Sequence, residues 1–318
     1  MADARWIGVD LGGTKVLAGL FDDDLNLIAT SKQPTNAEGG PPSVFASVDA
    51  AVNELMTKHV VDPAVVRGMG FGVPGQVAPN STVIRYAPNL PGFRNLDIKP
   101  LCPANWVWPV VLHNDTRMAT YGEFSKGAAQ GCRDVFGIFV GTGVGAGLIL
   151  NGDLYGGFLG HAGEIGHVVV NWKKGTTVED IAGRKSMMQR ARELLEESPK
   201  RVRKEWKDVD LDKVKSSKLA EFYQKDDPIA VRLIDDCARA VGAAIASVVN
   251  LLSPQCVVIG GGVTESLKET LTERVWEIAQ RSILPQAADG MKYLPAALGD
   301  FAGITGCAAF AKRKAAST

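Results

Sequence analysis

GVDLGGTKVLAGLFD, Gly8 to Asp22, decides how this chain folds, because a second stretch repeats its plan. That stretch is GIFVGTGVGAGLILNGDL, Gly137 to Leu154. Laid together, Gly8 meets Gly137, Gly12 meets Gly141, Gly19-Leu20 meets Gly147-Leu148 and Leu25 meets Leu154. In each, a short apolar run enters a Gly/Thr turn and a second apolar run leaves it, ending at Gly, Asp or Asn. The pattern predicts a β-hairpin whose glycines expose backbone N–H groups. Two such hairpins facing each other can hold the phosphates of one nucleotide from both sides. Two ordinary hairpins are the plain alternative. Asp10 and Thr14, which put a carboxylate and a hydroxyl inside the first turn, favour the phosphate reading.

Composition sets the frame around these hairpins. A chain of 318 residues suggests two domains and can bury a large core. Hydrophobic content of 46%, charged content of 22% and 35 glycines describe a soluble globular protein. Lys+Arg and Asp+Glu both number 35, so no polyanionic partner such as nucleic acid is implied. The basic stretch Lys200 to Lys207 is interleaved with acids and reads as a solvated helix face. Cys102, Cys132, Cys237, Cys256 and Cys307 are scattered singly, without a CxxC pair. They read as reduced thiols of a cytoplasmic protein, with neither a disulfide framework nor a zinc knuckle. The opening MADARWIGVD has no signal-peptide pattern. Val241 to Ile259, broken by Asn250 and Ser253-Pro254, reads as a helix followed by a buried strand, and no membrane span is expected.

Trp6–Leu11, Val16–Phe21 and Leu25–Thr30 predict a three-stranded antiparallel start. Gly39-Gly40-Pro41-Pro42 breaks the chain, and Ser43 is the expected N-cap of a helix to about His59, with Val44, Val48, Ala51, Val52 and Leu55 on one face. Strands follow at Gly68–Val73 and Trp106–Leu112, the latter delivering His113-Asn114-Asp115, and a helix starts at Thr116. The second half repeats the plan, with a loop over Gly156–His167, a strand at Val168–Asn171 and mainly helices from Glu179 to Val249. A strand at Gln255–Ile259 meets Gly260-Gly261-Gly262, a helix follows near Thr264, and the last helix is Ile304–Lys314. The expected organisation is a duplicated α/β fold of two lobes with a cleft between them. Residues 1–115 form the smaller lobe, with the final helix (about 303–318) packing back on it, and 116–302 form the larger lobe.

Two familiar nucleotide motifs fail. GTGVGA, Gly141 to Ala146, fits GxGxxG/A, but a strand and a turn follow where a dinucleotide fold needs a helix. No GxxxxGK[ST] occurs, which excludes a P-loop. Phosphoryl transfer needs a cradle of N–H donors, magnesium beside a carboxylate, and a group to take the acceptor's proton. Gly12, Gly13 and Thr14 with Gly141, Thr142 and Gly143 supply the cradle. Asp10 is placed to orient Mg²⁺ through water. Asp115 is the candidate base; its alternative role is the N-cap of the helix that follows.

Six motifs then occur in order: DLGGTK (Asp10–Lys15), GVPGQV (Gly72–Val77), NDTRMATYGE (Asn114–Glu123), GTGVGAG (Gly141–Gly147), GHAGEIGH (Gly160–His167) and VVIGGGV (Val257–Val263). Together they resemble the ROK family of sugar kinases and sugar-responsive repressors, and most closely its glucokinases. The resemblance implies the duplicated actin-like (ribonuclease H-like) ATPase fold and ATP- and Mg²⁺-dependent phosphorylation of a hexose. It implies Asp115 as the catalytic aspartate and Asn89, Asn114, Glu164, His167 and Glu179 as sugar-binding residues. Gly12 to Lys15 and Gly141 to Gly143 match the phosphate loops, and Gly260, Gly261 and Gly262 lie near the adenosine site. A homodimer is the family's common assembly.

One departure stands out. Much of the family follows the loop histidine with CxCGxxGC, which binds a structural zinc. Here Val168 to Val178 reads VVVNWKKGTTV, without a cysteine. A zinc site normally needs four ligands, so none is expected, and His167 must be oriented by something else. His161 reads as a loop histidine without a ligand. The expected activity is that of a hexose kinase, most closely a glucokinase making glucose 6-phosphate. N-acetylmannosamine, fructose, mannose or allose are alternative acceptors, and polyphosphate an alternative donor that the GGGV segment disfavours. A sugar-sensing regulator is the rival of a different class. The family's repressors carry a helix-turn-helix domain before the first phosphate motif, whereas Asp10 already lies in that motif.

Overall fold

A computed structural model describes residues 4–316. The chain divides into two compact units. One holds the chain up to Arg133, Gly147–Gly163 and the segment from Asp300 on; the other holds Asp134–Ala146 and Glu164–Gly299.

In the first unit, β1 (Arg5–Leu11) and β2 (Lys15–Phe21) form the hairpin read from the opening glycines, with Gly8 opposite Gly19 and Asp10 opposite Leu17. β3 (Leu27–Pro34) adds the third antiparallel strand. Then come α1 (Gly40–Lys58), β4 (Val66–Val73), a small sheet of β5 (Gln76–Val77), β6 (Val83–Tyr86) and β7 (Arg94–Asp97), then β8 (Val110–Asn114) and α2 (Asp115–Lys126). The main sheet runs β3-β2-β1-β4-β8, with β4 parallel to both β1 and β8.

Alternation along β1 sorts the two faces, as a period of two requires. Ile7, Val9 and Leu11 are fully buried and join Val44, Val48 and Leu55 of α1 in the main core. Trp6 points the other way, into a cluster with Ile304 and Ala308. Gly8 and Asp10 share that second face. There a Cβ on Gly8 would stand 1.9 Å from the Ile304 carbonyl oxygen, so only glycine lets the last helix settle on the strand.

In the second unit the chain continues with β9 (Val135–Val140) and β10 (Val144–Leu150); β10 leaves this unit after Ala146 and closes a hairpin with β11 (Asp153–Leu154) in the first. β12 (Val169–Asn171) and β13 (Thr176–Thr177) pair as a short ribbon. α3 (Val178–Ala182), α4 (Arg184–Glu197), α5 (Lys200–Glu205), α6 (Ser216–Gln224) and α7 (Pro228–Leu252) make the helical stretch. β14 (Cys256–Gly260), α8 (Gly262–Leu267), α9 (Glu269–Gln280) and β15 (Lys292–Pro295) follow, and β14 pairs in parallel with β9 and β15. The last helix, α10 (Ala302–Ala315), belongs to the first unit. It packs on β1, β4 and α2.

The local differences from expectation have simple causes. α1 starts at Gly40 and not after Ser43, with a proline in its first turn, where the missing N–H costs nothing. β8 begins at Val110 and not at Trp106. Trp106 and Trp108 alternate into the core like strand residues, but Pro109 between them and the strand has no N–H to give a ladder. Strands β5, β6, β7 and β15 were not anticipated; each is two to four residues long, below the reach of periodicity. Part of the basic stretch falls on the side chains of Lys200, Arg201 and Arg203, which lie outside those described. Among the described residues, no helix is long and apolar enough to cross a membrane. The five cysteines are free thiols.

Candidate active site

The first glycine turn is closed by its own backbone. The Gly12 N–H donates to the Lys15 carbonyl (2.9 Å), and the Thr35 hydroxyl donates to the Gly12 carbonyl (2.7 Å). The Gly12 amide is therefore used inside the turn, and any phosphate cradle rests on Gly13 and Thr14. Asn89 lies against this turn: a Cβ on Gly13 would stand 3.3 Å from the Asn89 Cβ. Lys15 forms an exposed ion pair with Asp300 (3.4 Å).

Asp10 sits at the end of β1, on the face that α10 covers, and its carboxylate lies 3.3 Å from where a Cβ on Gly303 would be. Register places Asp10 beside Gly72, and Gly72 beside His113. The missing side chain of Gly72 leaves room for Asp115, whose Cα would be 3.3 Å from a Cβ there. The two aspartates thus flank one glycine gap. Burial first, then the negative charges of Asp115 and Asp300, push the Asp10 carboxyl up to about 7, against the pull of Lys15. Beneath them the Cys307 thiol donates to the Val9 carbonyl (3.4 Å); burial and the Asp10 charge push it well above its usual range. That thiol is inert.

Asn114, not Asp115, caps α2. Its Oδ1 accepts the Arg117 N–H (3.1 Å) and its Nδ2 donates to the Gly75 carbonyl (3.1 Å). Asp115 is the first helical residue, and its Oδ1 accepts the Thr116 N–H (2.7 Å). That bond fixes the carboxylate's rotation, and the helix N-terminus favours its charge. Asn114 keeps one amide hydrogen and part of its carbonyl capacity for a ligand.

The second unit gathers a different set. The Gly141 N–H donates to the Gly143 carbonyl (2.9 Å), so this turn also uses its first glycine amide. The start of α4 grips the turn: the Arg184 and Lys185 N–H groups donate to the Gly141 and Thr142 carbonyls (3.0 and 3.1 Å). The Arg184 guanidinium donates to the Thr142 hydroxyl (3.0 Å). Glu179 closes the other side, its Oε2 accepting the Val144 N–H at 2.7 Å. A Cβ on Gly143 would stand 2.3 Å from that oxygen, so a side chain there would displace the Glu179 carboxylate from the turn. Sequence reasoning missed Arg184, and it assigned Glu179 by motif position without its bond to the turn. No spacing signal could have shown either bond, because 35 to 42 residues separate the partners.

Glu164 opens a short 3₁₀ turn, Ile165–His167, and the His167 N–H donates to the Glu164 carbonyl (3.1 Å). The His167 side chain is exposed. Where the family pattern has cysteines, the β12–β13 ribbon holds the loop, with the Val178 N–H donating to the Val168 carbonyl (3.0 Å). A capping box anchors α3: the Asp180 N–H donates to the Thr177 hydroxyl (3.3 Å) and the Thr177 N–H to the Asp180 carboxylate (2.9 Å). Thr177's bonds, with a weaker pull from His167, hold the Asp180 carboxyl below its usual range. Gly260 ends β14, and Gly261, at φ 91°, precedes α8. Beside them lies a cavity of about 210 Å³ lined by Gly260, Glu265 and Thr264.

Among the described residues, no three His, Cys, Asp or Glu side chains stand together as a metal cage. Magnesium does not need one. It keeps several waters and takes one or two carboxylates, and Asp10 beside Asp115 is a donor set of that kind.

A repeated glycine hairpin opening two α/β units, with a carboxylate at the end of the first strand, defines an actin-like ATPase fold. The chain belongs to the ROK family, whose sequence profile matches residues 6–314. It is 30% identical over 317 aligned residues to a glucokinase of Halalkalibacterium halodurans, covering 96% of this chain and 94% of that protein. A ROK family glucokinase from Streptomyces griseus, crystallised with glucose and AMPPNP, superposes with a TM-score of 0.82 at 29% identity, over 98% of this chain and 100% of that one. The ROK hexokinase from Thermus thermophilus gives 0.80 at 30% identity, over 99% and 100%.

Proposed function

We propose that this protein is an ATP- and Mg²⁺-dependent hexose kinase, a glucokinase that converts glucose and ATP to glucose 6-phosphate and ADP. The observation that carries the reading is the pair Asp10 and Asp115 flanking the Gly72 gap, where the charge of one raises the pKa of the other. Glucose and an ATP analogue in the Streptomyces griseus relative support the same substrates here.

Asp115 accepts the proton of the sugar 6-hydroxyl as that oxygen attacks the γ-phosphorus. The new O–P bond forms while the bond to the β-phosphate oxygen breaks, and ADP leaves. The Thr116 N–H keeps the Asp115 carboxylate in one orientation throughout. A base so placed contributes about 10²–10⁴-fold. Asp10 would hold magnesium through water, and the ion would supply charge neutralisation to the transferring phosphate. The N–H groups of Gly13 and Thr14, with Lys15 beside them in sequence, and those of Thr142 and Gly143 are the donors this reading assigns to the phosphates. Asn89, Asn114, Glu164 and His167 read the sugar hydroxyls, and a wrong epimer leaves one such group unpaired at a cost of about 1–3 kcal/mol.

The test is ADP release by wild type and Asp115→Asn over a panel of glucose, mannose, fructose, allose and N-acetylmannosamine, with sugar binding measured by calorimetry. The expected result is glucose as the best acceptor, and a variant that binds sugar but turns it over about 10²-fold or more slowly. Equal turnover removes Asp115 from its role, and preference for another acceptor replaces glucose in the reading.

A further inference from the structure

One large cavity of the first unit is not needed by this mechanism. It has a volume of about 1140 Å³ and lies along β8, the edge strand of the main sheet. Lys99, Trp106, Trp108, His113, Arg313 and Lys314 are among its lining residues, with Arg117 and Tyr121 deeper in the wall. We propose that this cavity is a second, non-catalytic site for a small phosphorylated organic anion.

Three observations carry it. The first is charge. Lys99, Arg117, Arg313 and Lys314 face one lining carboxylate, Asp153, and Arg313 already pairs with it. Arg117 is only 3% exposed.

The second is donor excess. The lining ammonium and guanidinium groups only donate, and Arg117 uses one bond on the Gly160 carbonyl (2.7 Å). A ligand rich in acceptor oxygens is the chemical complement. Trp106 and Trp108, 8% and 7% exposed, stack with ring centroids 6.4 Å apart and keep their indole N–H groups buried away from the space.

The third is size. The space exceeds what inorganic phosphate fills and matches a small organic molecule. Aromatic and proline surface along Trp106–Pro109 suits its apolar part. An occupant also touches His113, two residues before Asp115 on the strand that delivers the candidate base. The site therefore has a short covalent path to Asp115, although the binding proposal itself stands without the kinase reading.

The test uses the purified full chain and its tryptophan fluorescence, with inorganic phosphate, glucose 6-phosphate and AMP as probes at constant ionic strength. The expected result is a saturable change with an organic phosphate below about 10 mM, stronger than with inorganic phosphate. The double variant Lys99→Glu/Lys314→Glu, at two exposed positions, weakens that binding about tenfold or more, while calorimetric glucose and ADP binding stays within about twofold. Lys99→Ala serves in its place should the double variant fail to fold, with a smaller loss. No saturable change with any probe, equal affinity in the variants, or an identical change with sodium sulfate overturns the proposal. So does sedimentation showing a dimer that the double variant dissociates, since a second copy would then cover the cavity.

Discussion

Asp10→Asn is the perturbation that interrogates the site most directly, because its effect on stability changes with pH. The Asp10 carboxyl rises from 3.8 to about 7 in the fold, chiefly through burial. In the unfolded chain it ionises at its ordinary value. Between about pH 4 and pH 7 the folded chain therefore holds a proton that the unfolded chain has released, and stability falls as pH rises through that window. Below the window the destabilisation is absent; above it the loss is complete.

Each pKa unit corresponds to about 1.36 kcal/mol. The rise from 3.8 to about 7 amounts to about 4 kcal/mol, and water reaching this half-buried carboxylate brings the figure to about 2–4 kcal/mol. Asparagine resembles the protonated acid. Ligand-free Asp10→Asn should match wild type near about pH 4.5 and exceed it near about pH 8 by that margin, a shift of several degrees in melting temperature. Thermal melts of both proteins across this range are the assay. A gap of equal size at both ends, or a less stable variant at the alkaline end, refutes the reasoning. Under the proposed role of Asp10 at magnesium, the same variant should also lose turnover.

Gly306→Ala would put a Cβ 1.7 Å from the Met118 carbonyl oxygen where α10 crosses α2, and overpacking of this kind costs about 1–3 kcal/mol or more; an unchanged melting temperature would contradict so close a crossing. Glu179→Ala removes the acceptor of the Val144 N–H, a charge-assisted bond of about 1.5–3 kcal/mol, so KM for ATP should rise roughly tenfold or more. Glu179→Gln keeps an acceptor and should recover most of that affinity; an ATP KM untouched by the alanine would free the turn from Glu179. Metal analysis of the purified protein should find zinc well below one per chain, and one zinc per chain would overturn the account of the loop after His167.

The first hairpin was legible because its glycines and apolar runs are local, and a hairpin register is set by its turn. Gly8 opposite Gly19 is the direct outcome. The buried face of α1 was legible for the same reason, since Val44, Val48, Ala51, Val52 and Leu55 recur at helical spacing and are all buried. Trp106 and Trp108 misled because alternation reports which way side chains point, not whether the backbone has a partner. A last helix packing back on the first lobe was expected, but where it meets β1 and α2 was not legible. It depends on Gly8 meeting the Ile304 backbone and Gly306 the Met118 backbone, partners distant in the chain, and a glycine in sequence does not say what it lies against.

In the site, residue types were readable but hydrogen-bond commitments were not. Gly12 and Gly141 each use their amide to close a turn, Asn114 caps α2, and Glu179 clamps the second turn. Motif position had assigned all four to ligands. The physical reason is that a buried or half-buried polar group must be satisfied before any ligand arrives, and the nearest partner is usually backbone. Asp10 is the exception. Neighbouring charge and burial work against its ionised form, with Lys15 the one counterweight among the causes of its shift. A carboxylate kept at that disadvantage gains most from a cation, so under the proposed reading a divalent ion should reverse the alkaline stability gap between wild type and Asp10→Asn.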